Sequence, residues 1–237
     1  ICDSRELVEA GVVDPRYDVI RSCIKAPPGY IIVGADYSAA EIASVAYVSG
    51  DEELIAISED DERDIHSETA VSAFGIQVPQ GETLADYIKG NHSDKRSSAK
   101  IVLFGLIYGR SAASLARQLT VAGVPGATKA YAEGVIEGIF NSYPLLREYM
   151  TRQRRAVYDP CYAENPFGMR RYFFDSSSGA VMAAQERASI NFPIQSTVAG
   201  VLQLAMGNFA EYKRLYPQAP FHVMAPFQDA VYSIVHH

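Results

Sequence analysis

Between positions 96 and 108 the chain carries Arg96, Lys100, Phe104 and Tyr108 at intervals of four, a cadence that constrains the fold more than any other stretch. Four residues of an α-helix advance by about 400°, so side chains at that interval form one slowly winding stripe. The stripe is cationic at one end and aromatic at the other. A guanidinium meets a polyphosphate as a planar fork and an ammonium meets it as a point charge, while flat rings offer faces for a base. A helix with a snorkelling basic end and an aromatic core stripe accounts for the cadence equally well. It does not account for Gly105 and Gly109, each of which costs a helix interior about 1 kcal/mol relative to Ala.

Two acids stand at positions that predict rigid presentation. Residues 31–35 are a short, β-branched apolar run ending at Asp36, and apolar spacing of a helix follows through Ile42, Val45 and Ala46 until Ser49-Gly50. The pattern predicts a buried strand passing into a helix with an acid at the junction. Near the other end, residues 221–224 and 231–235 read as strands flanking a turn that holds Asp229. Such a pair of acids is able to hold two Mg²⁺ ions, ~3.5–4 Å apart in two-metal phosphoryl transfer. On spacing alone, an Asp at a strand end or in a turn is more often a cap or turn residue.

The remaining pattern predicts mostly helices. Asp64 reads as the N-cap of a helix through Phe74 that stops at Gly75, 76–92 as a loop around a short helix, and Ser93 or Asp94 as the cap of the stripe helix. Helices are expected over 129–140 and 145–157, a hairpin or turn over 166–172, and a long amphipathic helix over 182–213 with a kink at Pro193. No internal repeat or low-complexity tract interrupts this order.

With 237 residues, 48% hydrophobic and 21% charged, the chain has a globular composition. Its apolar runs fall far short of the roughly 20 residues of a membrane-spanning helix, so no membrane association is expected. Residue 1 is Ile and the first twenty positions carry Asp3, Arg5, Glu6, Glu9 and Asp14, which is no signal peptide; the chain reads as a piece of something longer. Cys2, Cys23 and Cys161 form no C-x-x-C pair, which argues against a disulfide framework or zinc site and for a reducing compartment. The expected location is the cytoplasm, or the host cytoplasm for a viral source. A net charge of -7 opposes bulk attraction to phosphate, so any nucleic-acid contact has to come from local charge.

The string Arg96-x3-Lys100-x3-Phe104-x3-Tyr108-Gly109 closely resembles the fingers-helix signature of family A DNA polymerases. Asp36-Tyr-Ser-Ala-Ala-Glu41 resembles that family's first palm motif, and the segment from Asp64 to Ala70 resembles the one bearing a phosphate-contacting His. Arg187-x3-Asn191-x3-Gln195 falls where the family keeps a polar stripe along the minor groove. Order and spacing agree across nearly the whole chain.

The resemblance implies an α/β fold, a polymerase palm with an antiparallel sheet plus a helical fingers subdomain, with palm over 1–61 and 143–237 and fingers over 62–142. It implies a template-directed DNA polymerase, a nucleotidyltransferase with two Mg²⁺ as cofactors. Its partners would be primer-template DNA, deoxynucleoside triphosphates and the thumb region of a longer polymerase. Asp36 and Asp229 would be the metal ligands, joined by the Tyr37 carbonyl. Arg96, Lys100 and His66 would hold the triphosphate, with Lys100 also a general acid for the leaving pyrophosphate. Phe104 would pack on the nucleotide, Tyr108 would guard the template-base position, and Glu41 would be the gate against a ribose 2′-hydroxyl. Arg187, Asn191 and Gln195 would hydrogen-bond minor-groove acceptors shared by all correct pairs, and Gln228 would face the primer end. Arg170 and Arg171 read equally as plain solvated charge or as contacts to DNA phosphate.

The chain departs from the family at several places. The last motif, normally H-D-E, reads Gln228-Asp229-Ala230, which removes one carboxylate, and Ala39 and Ala40 replace the usual Gln and Ile beside Glu41. No primer-side strand is recognisable in residues 1–20, nor any thumb or proofreading carboxylate set. Two other readings compete: a polymerase-shaped nucleic-acid-binding module whose catalysis has lapsed, suggested by Ala230, and a single-subunit RNA polymerase. Retention of Asp36, Lys100 and Asp229 opposes the first, and Phe104 with Glu41 opposes the second.

Overall fold

The computed structural model describes residues 24–227 and 229–236, and the chain divides into two compact units, Ile1–Tyr37 with Leu202–His237, and Ser38–Val201. No described helix is long and apolar enough to cross a membrane. The first unit contains a three-stranded antiparallel sheet in the order β1-β5-β4, formed by β1 (Tyr30–Asp36), β4 (Phe221–Phe227) and β5 (Ala230–His236). The expected strands lie on it, with β4 extending three residues further, but β1, expected to be buried, is exposed from Ile31 to Asp36. Asp36 pairs with Ala230, and Phe227 pairs with Ala230 on the other side, with Asp229 in the turn just before β5.

The second unit is helical: α1 (Ala40–Ser49), α2 (Glu52–Ser58), α3 (Ile65–Phe74), α4 (Leu84–Asn91), α5 (Ser93–Ile107), α6 (Ala112–Val121), α7 (Lys129–Ser142) and α8 (Pro144–Ala156). A short hairpin, β2 (Tyr162–Glu164) with β3 (Arg170–Tyr172), follows, and then α9 (Gly179–Leu215), which carries Pro193 within it. Asp64 caps α3 by accepting from the His66 N–H at 3.1 Å, and Gly75 ends it with φ +62°, as the sequence predicts.

The core of this unit is built from apolar residues at helical spacing. Leu54, Leu103, Leu115, Leu119 and Ile139 are fully buried together with Leu146. Tyr149 joins them by donating its hydroxyl to the Ile190 carbonyl at 2.7 Å, which satisfies its one polar atom inside the core. Two helix starts are tied by one buried carboxylate. Asp51 accepts from the Leu54 N–H at 3.3 Å and, 94 positions along the chain, from the Leu145 N–H at 3.1 Å, filling donors that helix N-termini leave open.

Two expectations about the helices are also corrected. The cap of α5 is His92, which makes no side-chain cap bond, rather than Ser93 or Asp94. The stripe helix also ends earlier than its cadence implies: Ile107 is its last residue, Tyr108 is the C-cap, and Gly109 takes the left-handed conformation at φ +66°. The chain leaves the helix there, so Tyr108 continues the stripe from a turn.

Candidate functional site

In the sheet unit, the strand end that carries Asp36 meets the turn that carries Asp229. The Tyr37 N–H donates to the Asp229 carbonyl at 3.2 Å, which pins the two together one residue past the strand. Partial loss of hydration, together with the adjacent Asp229 carboxylate and a hydrogen bond shared with it, raises the Asp36 carboxyl above its ordinary range. Two carboxylates in that relation repel one another and offer hard oxygen donors, the chemistry that suits a hard divalent cation. The residues present therefore fit such an ion. Among the described residues no cluster of three His, Cys, Asp or Glu exists, so a site here depends on two acids supplemented by a backbone oxygen and by the substrate. Ala230, where the related motif carries Glu, is buried in the sheet beside them. Gln228 lies outside the described residues.

In the helical unit, α5 and the start of α3 build a cationic group. Arg96 lies against Asp64, with its Nε donating to Oδ2 at 2.9 Å and its Nη2 to Oδ1 at 3.2 Å. Ser67 donates to the same carboxylate at 2.9 Å. Burial works to raise Asp64, but the bonds from Arg96 and Ser67 outweigh it and hold the carboxyl at about 2. Asp64 thus both caps α3 and orients a guanidinium 32 positions away. That second duty has no local signal in the sequence.

Lys100, one turn on, is exposed and pairs with no carboxylate among the described residues. His66 packs against Phe104 with ring centroids 5.6 Å apart, and its Nδ1 is buried without a partner among the described residues. Burial, then the Lys100 and Arg96 charges, push its imidazole down to about 4 against the opposing pull of Asp64. His66 is therefore neutral at neutral pH, and its contact with an anion would be a hydrogen bond and not an ion pair.

A third group surrounds Glu41 in the first turn of α1. Tyr108 donates its hydroxyl to Glu41 Oε1 at 2.6 Å, the Gln195 amide donates to the same oxygen, and Gln195 Nε2 lies 3.3 Å from the Tyr108 hydroxyl. Partial burial and the Glu41 bond push the Tyr108 phenol up to about 12, so it remains a donor throughout the neutral range. Ala39, just before this turn, sits in the left-handed region at φ 50°.

Arg187, Asn191 and Gln195 follow one another at four-residue intervals along α9. Arg187 is exposed, and a Cβ on Gly109 would lie 3.0 Å from its Cα, so only glycine allows the turn after α5 to approach α9 so closely. Asn191 has a buried Nδ2 with no partner among the described residues. Gly105 has a similar reason, since a Cβ there would meet Leu115 Cδ2 at 2.1 Å. Arg170 and Arg171 lie on β3, exposed, with Arg170 paired to Glu164 across the hairpin. Sequence-distant residues thus converge in two groups within this unit, around Arg96 and around Glu41, while Arg170 and Arg171 stand on a separate hairpin.

The family model described as DNA polymerase family A matches residues 11–220. DNA polymerase I of Chloroflexus aurantiacus is 38% identical over 190 residues, 80% of this chain and 18% of that protein. The thermostable DNA polymerase I of Thermus aquaticus is 34% identical over 189 residues, 79% of this chain and 21% of that protein. The chain therefore spans about one-fifth of the length of the curated relatives it matches. Among solved structures, the POL domain of Pol1 from M. smegmatis in complex with DNA primer-template and dNTP aligns with a TM-score of 0.75 at 27% identity, over 90% of this chain and 35% of that one.

Proposed function

The chain belongs to DNA polymerase family A, and on that footing we propose that it supplies the nucleotide-adding centre of a template-directed DNA polymerase. In this reading residues 1–61 and 143–237 are palm and 62–142 are fingers. Its substrates are primer-template DNA and deoxynucleoside triphosphates, and a thumb elsewhere in the protein that carries the chain completes the grip on DNA. A cytoplasmic location fits the same reading. The observation that carries it is the pairing of Asp36 with Asp229 at the sheet edge, in a chain that also keeps the Arg96, Lys100, Phe104, Tyr108 cadence.

Asp36, Asp229 and the Tyr37 carbonyl would hold divalent metal, two Mg²⁺ in the full proposal. Such ions supply charge stabilisation for the attacking and leaving oxygens of a phosphoryl transfer. Arg96, oriented by Asp64, and Lys100 bind the triphosphate, and Lys100 is the proton donor to the departing pyrophosphate. The neutral His66 adds a hydrogen bond to a phosphate oxygen. Phe104 packs on the nucleotide, and Tyr108 covers the template-base position until a base enters. Glu41, held by Tyr108 and Gln195, fills the space a ribose 2′-hydroxyl requires, which distinguishes this reading from an RNA polymerase. Arg187, Asn191 and Gln195 bond to pair edges, Gln228 to the primer end, and Arg170 and Arg171 to DNA phosphate.

Ala230 favours one second reading, a nucleic-acid-binding module without catalysis, because it lacks the carboxylate that the related motif carries. Extension of a labelled primer, with each of the four dNTPs supplied singly, separates the two. Incorporation of only the template-complementary dNTP supports the polymerase. Tight primer-template binding with no incorporation supports the module.

A further inference from the structure

Singly exposed apolar side chains are ordinary, whereas several large ones on one rigid frame mark an interaction surface. The hairpin of β2 and β3 is such a frame. Asn165, buried at 4% exposure, closes its turn by accepting from the Phe167 N–H at 3.0 Å and the Met169 N–H at 2.9 Å. The two-residue period of the strands then sorts the side chains. Ala163 and Phe173 face inward and pack with Val157, and the opposite face carries the cross-strand pairs Tyr162 with Tyr172 and Glu164 with Arg170.

On that outer face the Tyr162 and Tyr172 rings lie 5.8 Å apart, and the Arg170 guanidinium sits 4.5 Å from the Tyr162 ring. Tyr172 is 68% exposed, and Phe174, two positions on in the same exposed-buried-exposed alternation, is 67% exposed. Phe174 is held by its main chain. Buried Gln185 donates Nε2 to the Phe174 carbonyl at 2.8 Å and accepts from its N–H at 2.9 Å, using both ends of one amide to fix a residue whose ring is left in water. At 67% exposure that ring contributes little to the packing of the described residues.

The hairpin is net cationic although the chain is net acidic. The hairpin carries Arg170 and Arg171 against Glu164, and Arg171 has no carboxylate partner among the described residues. Helix α8, whose following residue Val157 packs against the hairpin, ends with Arg152, Arg154 and Arg155. Rings interleaved with arginine, on a fixed frame in a chain of net charge -7, fit one class of partner: a single-stranded nucleic acid, whose bases stack on rings without regard to sequence and whose phosphates meet the cations.

We propose that Tyr172 and Phe174 form a stacking platform for the unpaired bases of the template strand, with Arg170 on the same face meeting its phosphate backbone. This rests on the template-directed reading above for the identity of the strand, and it adds to the phosphate contact of Arg170 two base contacts. The platform engages only template that has not yet been copied.

The test is fluorescence anisotropy on the protein that carries this chain, comparing wild type with a Tyr172→Ser/Phe174→Ser double variant. The probes are an oligo(dT) single strand, a primer-template with a long unpaired 5′ template overhang, and a blunt duplex of the same paired length. Stacking removed at one base position weakens binding by at least about fivefold, so both overhang and oligo(dT) affinities are expected to fall by at least that factor while the blunt-duplex Kd keeps its wild-type value. A Tyr172→Phe/Phe174→Tyr variant, which retains both ring faces, is expected to bind all three as wild type does. Equal affinities in wild type and the Ser variant overturn the proposal, whether or not the melting temperature falls; a fall would assign the rings to contact with another part of the protein. An equal loss on overhang and blunt duplex also overturns it. If oligo(dT) binding depends on the two rings while the wild type extends no primer, the platform stands and the polymerase reading falls.

Discussion

Glu41 accepts from both Tyr108 and Gln195, so its carboxylate is fixed in place and does not sample solvent freely. Shortening it to Ala removes the bulk proposed to exclude a 2′-hydroxyl. Deoxynucleotide selectivity, read as the ratio of kcat/KM for dNTP over NTP, is expected to drop about tenfold or more, the equivalent of ~1.4 kcal/mol of differential transition-state binding. An unchanged ratio puts the gate elsewhere. Phe104 offers a complementary probe. A normal nucleotide's 3′-hydroxyl helps fix its own triphosphate, a dideoxynucleotide has none, and Phe supplies no substitute. In Phe104→Tyr the phenol takes that place, and a hydrogen bond to a charged group is worth roughly 1.5–3 kcal/mol. Discrimination against dideoxynucleotides should therefore fall by about ten- to a hundredfold in competition assays, and equal discrimination by both proteins would remove Phe104 from the sugar. His66 carries a pH prediction. Its folded pKa of about 4 lies below the ordinary 6.5, so the unfolded chain binds the proton first and stability is lost as pH falls from about 6.5 to 4. The loss is on the order of 1–2 kcal/mol after discounting for the part-exposed ring. Chemical denaturation at several pH values should show a shallower acid slope in His66→Gln; parallel slopes would contradict the assignment.

At the scale of elements, a close helix crossing is carried by Gly138 of α7 against Ala73 of α3, where a Cβ on Gly138 would lie 2.6 Å from the Ala73 Cα. Backbone cannot yield as a side-chain tip does. Helix propensity alone favours Gly138→Ala by up to about 1 kcal/mol, whereas overpacking costs about 1–3 kcal/mol, and the clash with main chain is expected to win. Urea unfolding should show a lower midpoint in the variant, and a higher one would mean that the helices separate cheaply. Elements of this kind were legible in the sequence where their signals are local. The Asp64 cap, the stop at Gly75, the strand ending at Asp36 and the turn holding Asp229 all lie where propensity and spacing predict. Helix α2 was not foreseen. It is seven residues long and depends on Asp51, whose second bond goes to Leu145 on a distant helix. The site divides in the same way. The four-residue cadence is local and readable, but the Asp64–Arg96 pair and the Glu41, Tyr108, Gln195 group join residues 32 to 154 positions apart, and no periodicity encodes such a pairing.

For the whole molecule, an acidic chain is an unpromising partner for DNA, yet some of its cations are clustered: Arg96 and Lys100 on one helix, and Arg170 and Arg171 on one hairpin. Fields local to such groups act within about a Debye length, ~8–10 Å at physiological salt, so average charge decides little at the site. Asp36 and Asp229 are proposed to serve phosphoryl transfer and not the fold. Neither side chain belongs to a buried apolar cluster, so removing either should leave the structure in place. The direct measurement is the single-turnover rate of dNTP addition to a primer by the protein that carries this chain, in Mg²⁺, for wild type, Asp36→Ala and Asp229→Ala, with circular dichroism on each. A folded variant with addition reduced by at least about a thousandfold, ~4 kcal/mol of transition-state stabilisation, is the predicted result in both cases; addition at the wild-type rate by either folded variant would contradict the account.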